Sequence, residues 1–211
     1  MDLASERRDY SGERLLEENS PLQPLGLFTT WLQQAIEARL LDATALVLAT
    51  ATKDGQPSAR VVLLKEHGPE GLVFFTRYST QKCSDLAENP RAALLFHWRE
   101  HDRQVRIDAT LARVSADESR AYFASRPRGS QLAACAASQL SRVTAEALAQ
   151  RFDEAAERWD GKDIGMPADW GGYRASPTRM EFWQGRPNRL HDRLVYELEP
   201  DGSWTRHRLA P

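Results

Sequence analysis

The sequence predicts a mainly β fold with peripheral helices: a small antiparallel barrel with helices packed outside it. Three observations carry this. Five β-rich runs follow one another between residues 44 and 114, separated mostly by short turn signals. Strand-like runs return near the C-terminal end, the last pair turned by Pro200-Asp201-Gly202. No G-x-G-x-x-G follows a strand and no strand–helix alternation runs along the chain, which argues against a doubly wound parallel sheet. Short connections make antiparallel neighbours, because a parallel pair needs a long crossover.

Taken in order, the first twenty residues are polar and aperiodic, and are expected to form a mobile arm (1–20) ahead of a single domain (21–211). From Pro24 the positions Phe28, Trp31, Leu32, Ala35, Ile36 and Leu40 recur at helical spacing. TALVLATAT (44–52), SARVVLLKEH (58–67) and GLVFFTR (71–77) then read as strands, with Asp54-Gly55 and the 68–71 segment as turns. A short helix near Cys83–Glu88 is closed by Asn89-Pro90. AALLFHW (92–98) and QVRIDATLARV (104–114) follow as strands. Ser115 with Glu118 makes a capping-box pattern for a helix that must stop near Pro127. The 144–161 segment predicts a long helix with Leu148, Phe152, Ala156 and Trp159 on one stripe. RMEFW, RLHDRLVYELE and SWTRHRL complete about seven or eight strands and three or four helices.

Bulk composition excludes several classes. The chain has 211 residues, 41% hydrophobic and 27% charged, with a formal net charge of −2. There is no polycation to argue for nucleic acid. Positive charge is carried by 24 Arg and only 4 Lys. Cys83 and Cys135 stand far apart without C-x-x-C spacing, against a disulfide scaffold or a cysteine-ligated zinc. The charged N-terminus has no signal-peptide core, and no apolar run approaches the length of a membrane span. The expectation is a soluble cytoplasmic protein.

Four stretches could carry chemistry. HWREH (97–101) spells the H-x-x-E-H letters, but that zinc motif works only on a helix and here ends a β-run, so no metal site is expected. RVVLLK (60–65) places Arg60 and Lys65 at the rims of an aliphatic strand, where they either meet a phosphate or extend into solvent. In SRAYFASRPRGSQ (119–131), Tyr122 and Arg126 share a helix face, and Ser130 is placed as the N-cap of the next helix. That grouping is either a phosphate cradle or a plain helix–turn–helix corner. In RLHDR a strand would put Arg189, His191 and Arg193 on one face and Leu190, Asp192, Leu194, Tyr196 and Leu198 on the other. The basic face either meets solvent or holds an anion.

Together, EFWQGRPNRLHDR, RVVLLK, FFT (74–76), RQV (103–105), SRPRGSQ and WGGYR (170–174) resemble the motifs of the pyridoxamine (pyridoxine) 5′-phosphate oxidases, in the same order from about Arg7 to the C-terminus. The resemblance implies an FMN-binding split β-barrel, working as a homodimer with flavin in the subunit interface. It places FMN against Arg60, Val61, Val62, Leu63, Leu64, Lys65, Phe75, Thr76, Gln81, Lys82, Gln104, Gln139, Leu140, Trp183 and Arg193. It places the substrate phosphate on Lys65, Tyr122, Arg126 and Ser130, and the substrate ring beside Arg189 and His191, the catalytic pair. Arg7, Arg8 and Tyr10 of the arm would close over it. The implied reaction removes two electrons from C4′ of pyridoxamine or pyridoxine 5′-phosphate, gives pyridoxal 5′-phosphate, and passes the electrons through flavin to O2 as H2O2. The chain departs from the family pattern at Gln81, where an Arg is usual, at Leu140, where a Ser is usual, and at Ala109, where a Gly is common. Two rivals are a split-barrel flavin oxidase for another substrate, such as a phenazine precursor, and a non-catalytic pyridoxal phosphate carrier. A nucleic-acid module has little support at this charge.

Overall fold

The computed structural model describes residues 3, 5, 8–137 and 142–211. Arg7, Gln139 and Leu140, expected at the site, lie outside the described residues. The first helix, α1 (Pro24–Glu37), starts with proline in its first turn, where the missing N–H costs nothing, and buries Leu27, Phe28, Trp31, Leu32 and Ala35 on one face. It ends with Arg39 in left-handed backbone at φ 53°. Arg39 N–H bonds Ile36 O and Leu40 N–H bonds Ala35 O, a Schellman ending made without glycine. Ile36, expected on the buried stripe, is 51% exposed, because it lies one residue round the helix from Ala35.

Among the described residues nine strands follow: β1 (Ala45–Ala51), β2 (Pro57–Leu63), β3 (Glu66–Gly68), β4 (Gly71–Arg77), β5 (Arg91–Trp98), β6 (Arg103–Arg113), β7 (Trp170–Gln184), β8 (Asp192–Leu198) and β9 (Trp204–Leu209). The remaining helices are α2 (Gln81–Glu88), α3 (Ala116–Ser125), α4 (Arg128–Ala136) and α5 (Ala145–Arg158). All pairings are antiparallel, in the order β2-β1-β5-β6-β7-β4-β3, with β8 and β9 continuing from β7. Strand β7 divides the barrel. One edge pairs with β6, while the other meets β4 over residues 170–175 and β8 over Arg179–Gln184. The register slips at Asp108/Ala109 opposite Pro177, which has no N–H for the ladder.

Three expectations about strands are corrected. The 58–67 run breaks after Leu63, because Leu64 N–H bonds Thr44 O and Lys65 N–H bonds Val73 O, so the chain changes partners within one residue. WGGYR and RMEFW form one 15-residue strand, β7. RLHDR is only half strand. Pro187–Arg189 is a 3-10 turn with Asn188 and Arg189 at φ 55° and 59°, so β8 begins at Asp192. Arg189 and His191 therefore sit in a loop, and Leu190 is 70% exposed instead of packed.

The main core lies between α1 and the sheet. Phe28 meets Phe96 at 5.0 Å and Trp31 meets Phe182 at 5.3 Å between ring centroids. Each such side chain contributes about 1.5–3 kcal/mol on burial. A smaller core of Phe123, Leu132, Ala134, Ala155, Ile164 and Trp170 ties α3, α4 and α5 to the start of β7. On α5, Phe152, Ala156 and Trp159 pack against it while Leu148 stays exposed. Among the described residues no helix is long and apolar enough to cross a membrane.

Candidate functional site

The first part of the site is a cleft of about 450 Å³ between β2, β4, α2 and the α3–α4 corner. The strand β2 lends it Val61, Val62 and Leu63, and Lys65 follows just beyond; β4 lends Phe75 and Thr76, and Lys82 comes from α2. Tyr122, Arg126 and Ser130 close the far side. The capping box at Ser115 fixes the start of α3: Glu118 N–H bonds the Ser115 hydroxyl at 3.1 Å, and Ser115 N–H bonds the Glu118 carboxylate at 3.0 Å. Pro127 then forces a break, and α4 begins at Arg128. Ser130 is consequently not an N-cap but the third residue of that helix, its N–H bonded to Pro127 O.

The cleft walls are aromatic and close-set. Phe75 stacks on Tyr122 at 4.0 Å and lies parallel to Trp170 at 5.5 Å. Gly172 pairs with Phe75 across β4 and β7, and a Cβ there would come within 2.8 Å of both the Phe75 ring and Val114. Arg126 extends over the Trp170 ring at 5.0 Å.

Among the described residues the cations here have no carboxylate partners. Lys82 is buried and donates to the hydroxyls of Thr76 and Thr80, each at 3.2 Å. Burial pushes its pKa down, the Cys83 side chain offsets part of this, and Arg60 adds to the lowering. Arg126 has a buried Nη1 with no hydrogen-bond partner, and burial likewise lowers its pKa. Among the described residues neither they nor Lys65 form an ion pair with a carboxylate. A buried orphan guanidinium N–H and, in the same cleft, an ammonium held only by hydroxyls are suited to phosphate groups.

Arg60 stands behind this cleft. It donates to Leu48 O (3.1 Å), the Thr50 hydroxyl (2.8 Å) and the Ser58 hydroxyl (2.6 Å). Thr50 in turn donates to buried Asp85, which also accepts from the Gln81 amide at 2.8 Å. Gln81 thus faces Asp85 and does not line the cleft; neither does Leu64, which is core.

A second group lies elsewhere on the barrel, where Gln104, Trp183 and Arg193 form one cross-strand row over β6, β7 and β8. His191 packs on Trp183 at 4.6 Å, and Tyr10 of the arm stands edge-on to both rings, at 5.0 Å from His191 and 5.5 Å from Trp183. The Arg186 N–H bonds His191 Nδ1 at 3.0 Å, so the imidazole proton belongs on Nε2. Burial and the nearby Arg189 charge hold the His191 pKa below its ordinary 6.5. Arg189 itself is exposed. Arg193 pairs with buried Glu181 at 2.8 Å and donates to Ala210 O at 2.8 Å. Burial pushes the Glu181 carboxyl up, but hydrogen bonds from Arg193 and Arg179 outweigh it, and the net shift is downward. None of Gln104, Trp183, Arg189, His191 or Arg193 lines the 450 Å³ cleft.

Sequence reasoning missed three residues that build these groups. Trp170 supplies the surface under Arg126. Glu181 anchors Arg193, and its alternation with Trp183 in E-F-W was a readable sign that the two share a face. Asp102 receives the arm, and its partners lie some ninety residues away, with no local signature.

A nine-stranded antiparallel sheet split along one strand, with an anion-seeking cleft on its flank, is a split-barrel architecture. Two family models cover most of the chain: pyridoxamine 5′-phosphate oxidase over residues 32–163, and the pyridoxine 5′-phosphate oxidase C-terminal dimerisation region over residues 170–211. The chain belongs to the pyridoxamine 5′-phosphate oxidase family. It is 49% identical over 211 residues to a pyridoxine/pyridoxamine 5′-phosphate oxidase of Rubrobacter xylanophilus, covering 100% of this chain and 97% of the relative. It is equally 49% identical to the like-named protein of Cupriavidus pinatubonensis, covering 99% of each. Among solved structures it resembles PhzG from Burkholderia lata 383, crystallised with tetrahydrophenazine-1-carboxylic acid: TM-score 0.89, 31% identity, 95% of this chain and 100% of that one.

Proposed function

We propose that this chain is an FMN-dependent oxidase that converts pyridoxamine 5′-phosphate and pyridoxine 5′-phosphate to pyridoxal 5′-phosphate, with O2 as acceptor and H2O2 as product. The observation that carries this reading is the set of acid-free cations in the cleft, Lys65, Lys82 and Arg126, beside the hydroxyls of Tyr122 and Ser130. The relatives at 49% identity bear the names of this activity.

The cofactor is FMN; when bound, it supplies a two-electron acceptor that O2 restores. Lys82 and Thr76, with Arg60 behind them, are suited to its phosphate, and the Gln104–Trp183–Arg193 row to its ring. Lys65, Tyr122, Arg126 and Ser130 hold the substrate phosphate. Arg189 and His191, the latter offering Nε2–H, orient the substrate ring in a reactive pose, and neither has to act as an obligatory base. Because the cleft and the row are separate in one chain, the complete site joins the cleft of one protomer to the row of its partner. Exposed Val61 (64%) and Leu63 (43%) at the cleft rim are the apolar surface such a homodimer would cover.

The test is anaerobic mixing of the FMN-loaded protein with pyridoxamine 5′-phosphate while the flavin absorption band is followed. Bleaching that reverses on admitting air is the expected result. A band that stays unchanged with flavin bound would redirect the search to another substrate, and a protein that cannot retain flavin would favour the carrier reading.

A further inference from the structure

We propose that Asp102 is a positioning residue that latches the N-terminal arm over His191 and Trp183; the inference rests on the reading of that end as the substrate-ring site. Asp102 is buried, at 6% exposure, in the left-handed backbone (φ 54°) that joins the 3-10 turn Arg99–His101 to β6. Its main chain is fixed independently of the arm: its carbonyl accepts Gly185 N–H at 2.7 Å and the Gln184 amide at 3.2 Å. The direction in which its side chain leaves the backbone is therefore set by the barrel.

Both carboxylate oxygens then receive the arm. Arg8 Nη2 lies 2.7 Å from Oδ1, a charge contact, and also donates to Arg99 O at 2.8 Å. Ser11 N–H donates to Oδ2 at 3.2 Å. Tyr10 lies between these two clamps, and its ring is the one that stands edge-on to His191 and Trp183. The arm can come this close because residue 185 is glycine: a Cβ there would lie 2.5 Å from the Tyr10 ring and 2.9 Å from Asp102 Cβ. Farther along, Leu15 N–H is held by Asp192 at 3.0 Å, and Arg208 binds Leu15 O at 2.6 Å. Those bonds anchor the arm's base without Asp102, so losing Asp102 releases the tip that carries Tyr10 and leaves the base docked. Arg8, expected at the substrate, is occupied by the latch in this arrangement.

The test uses the full FMN-loaded chain with D102N, R8A, R8K and the R8A/D102N double variant. Asparagine tolerates left-handed backbone and keeps one acceptor oxygen, so D102N removes charge without disturbing the turn. Chymotryptic cleavage after Tyr10 is expected to quicken about tenfold in D102N and in R8A, with the double variant no faster than either single one. The KM for pyridoxamine 5′-phosphate is expected to rise roughly tenfold while kcat moves by less than about threefold, and R8K should recover part of the loss. Wild-type protection of Tyr10 in D102N, or effects of R8A and D102N that simply add, would overturn the latch. So would quicker cleavage with KM unchanged, since the arm would then not be closing on substrate. A protein that never oxidises this substrate but still shows the coupled change in cleavage would instead overturn the functional reading and leave the latch standing.

Discussion

The cleft under α3 and the arm-covered end of the barrel both gather cations, but among the described residues only the second provides carboxylates for them. In the cleft, Lys82 meets the hydroxyls of Thr76 and Thr80 and Arg126 lies over the Trp170 ring, with Lys65 lining the same cleft. At the other end, Arg193 meets Glu181, Arg8 meets Asp102, and Arg186 and Arg208 meet Asp192. A paired cation holds architecture in place. A buried unpaired one costs stability until an anion arrives, and so marks where binding energy is stored.

That contrast can be broken by exchanging single groups. The largest effect is expected from Glu181→Gln: it strips the shared acid from Arg179 and Arg193, and should lower unfolding stability by about 3 kcal/mol, read from urea midpoints. Arg126→Ala should leave the fold intact but raise KM for the phosphorylated substrate by roughly 30- to 100-fold, the loss of charge-assisted bonds worth about 2–3 kcal/mol, with kcat much less affected. A collapse of kcat at constant KM would remove Arg126 from the phosphate site. Lys82→Met should act oppositely on two measurements. The flavin-free protein gains about 1 kcal/mol as a desolvated ammonium is removed, while FMN affinity, followed by flavin fluorescence quenching, falls about tenfold.

The smallest effect concerns pH. The pKa of His191 is lowered in the folded protein, so the unfolded chain binds its proton more readily. Its contribution to stability is complete above the ordinary 6.5 and is lost as pH falls through the folded value. The kcat/KM profile should drop on the same acid limb, because imidazolium Nδ1 can no longer accept the Arg186 N–H; His191→Gln should flatten that limb. An unaltered profile in the variant would assign the limb to another group.

Much of this was legible in the sequence for local reasons. Hairpin spacing, the α1 stripe and the Ser115–Glu118 capping box each depend on residues a few positions apart; the capping box formed as expected, the stripe did so except at Ile36, and the hairpins did so except for the break after Leu63. The grouping of Tyr122, Arg126 and Ser130 was visible because one helix face and one proline break suffice to create it. RLHDR misled because strict alternation looks like a strand until the left-handed Asn188 and Arg189 turn it into a loop. Ser130 misled because Pro127 lets a helix begin at once, which left the serine inside the first turn. Where β7 passes from β4 to β8, and where Asp102 meets the arm, the cause is long-range pairing that no short window contains.

Gly172 has a consequence beyond packing. With no side chain at 172, the Phe75 ring, which lines the cleft, is seated directly against β7 beside Val114, and its seat depends on the spacing of β4 and β7. A methyl group at 172 would press on the Phe75 ring and Val114, and so shift the aromatic side of the cleft while every residue lining it kept its identity.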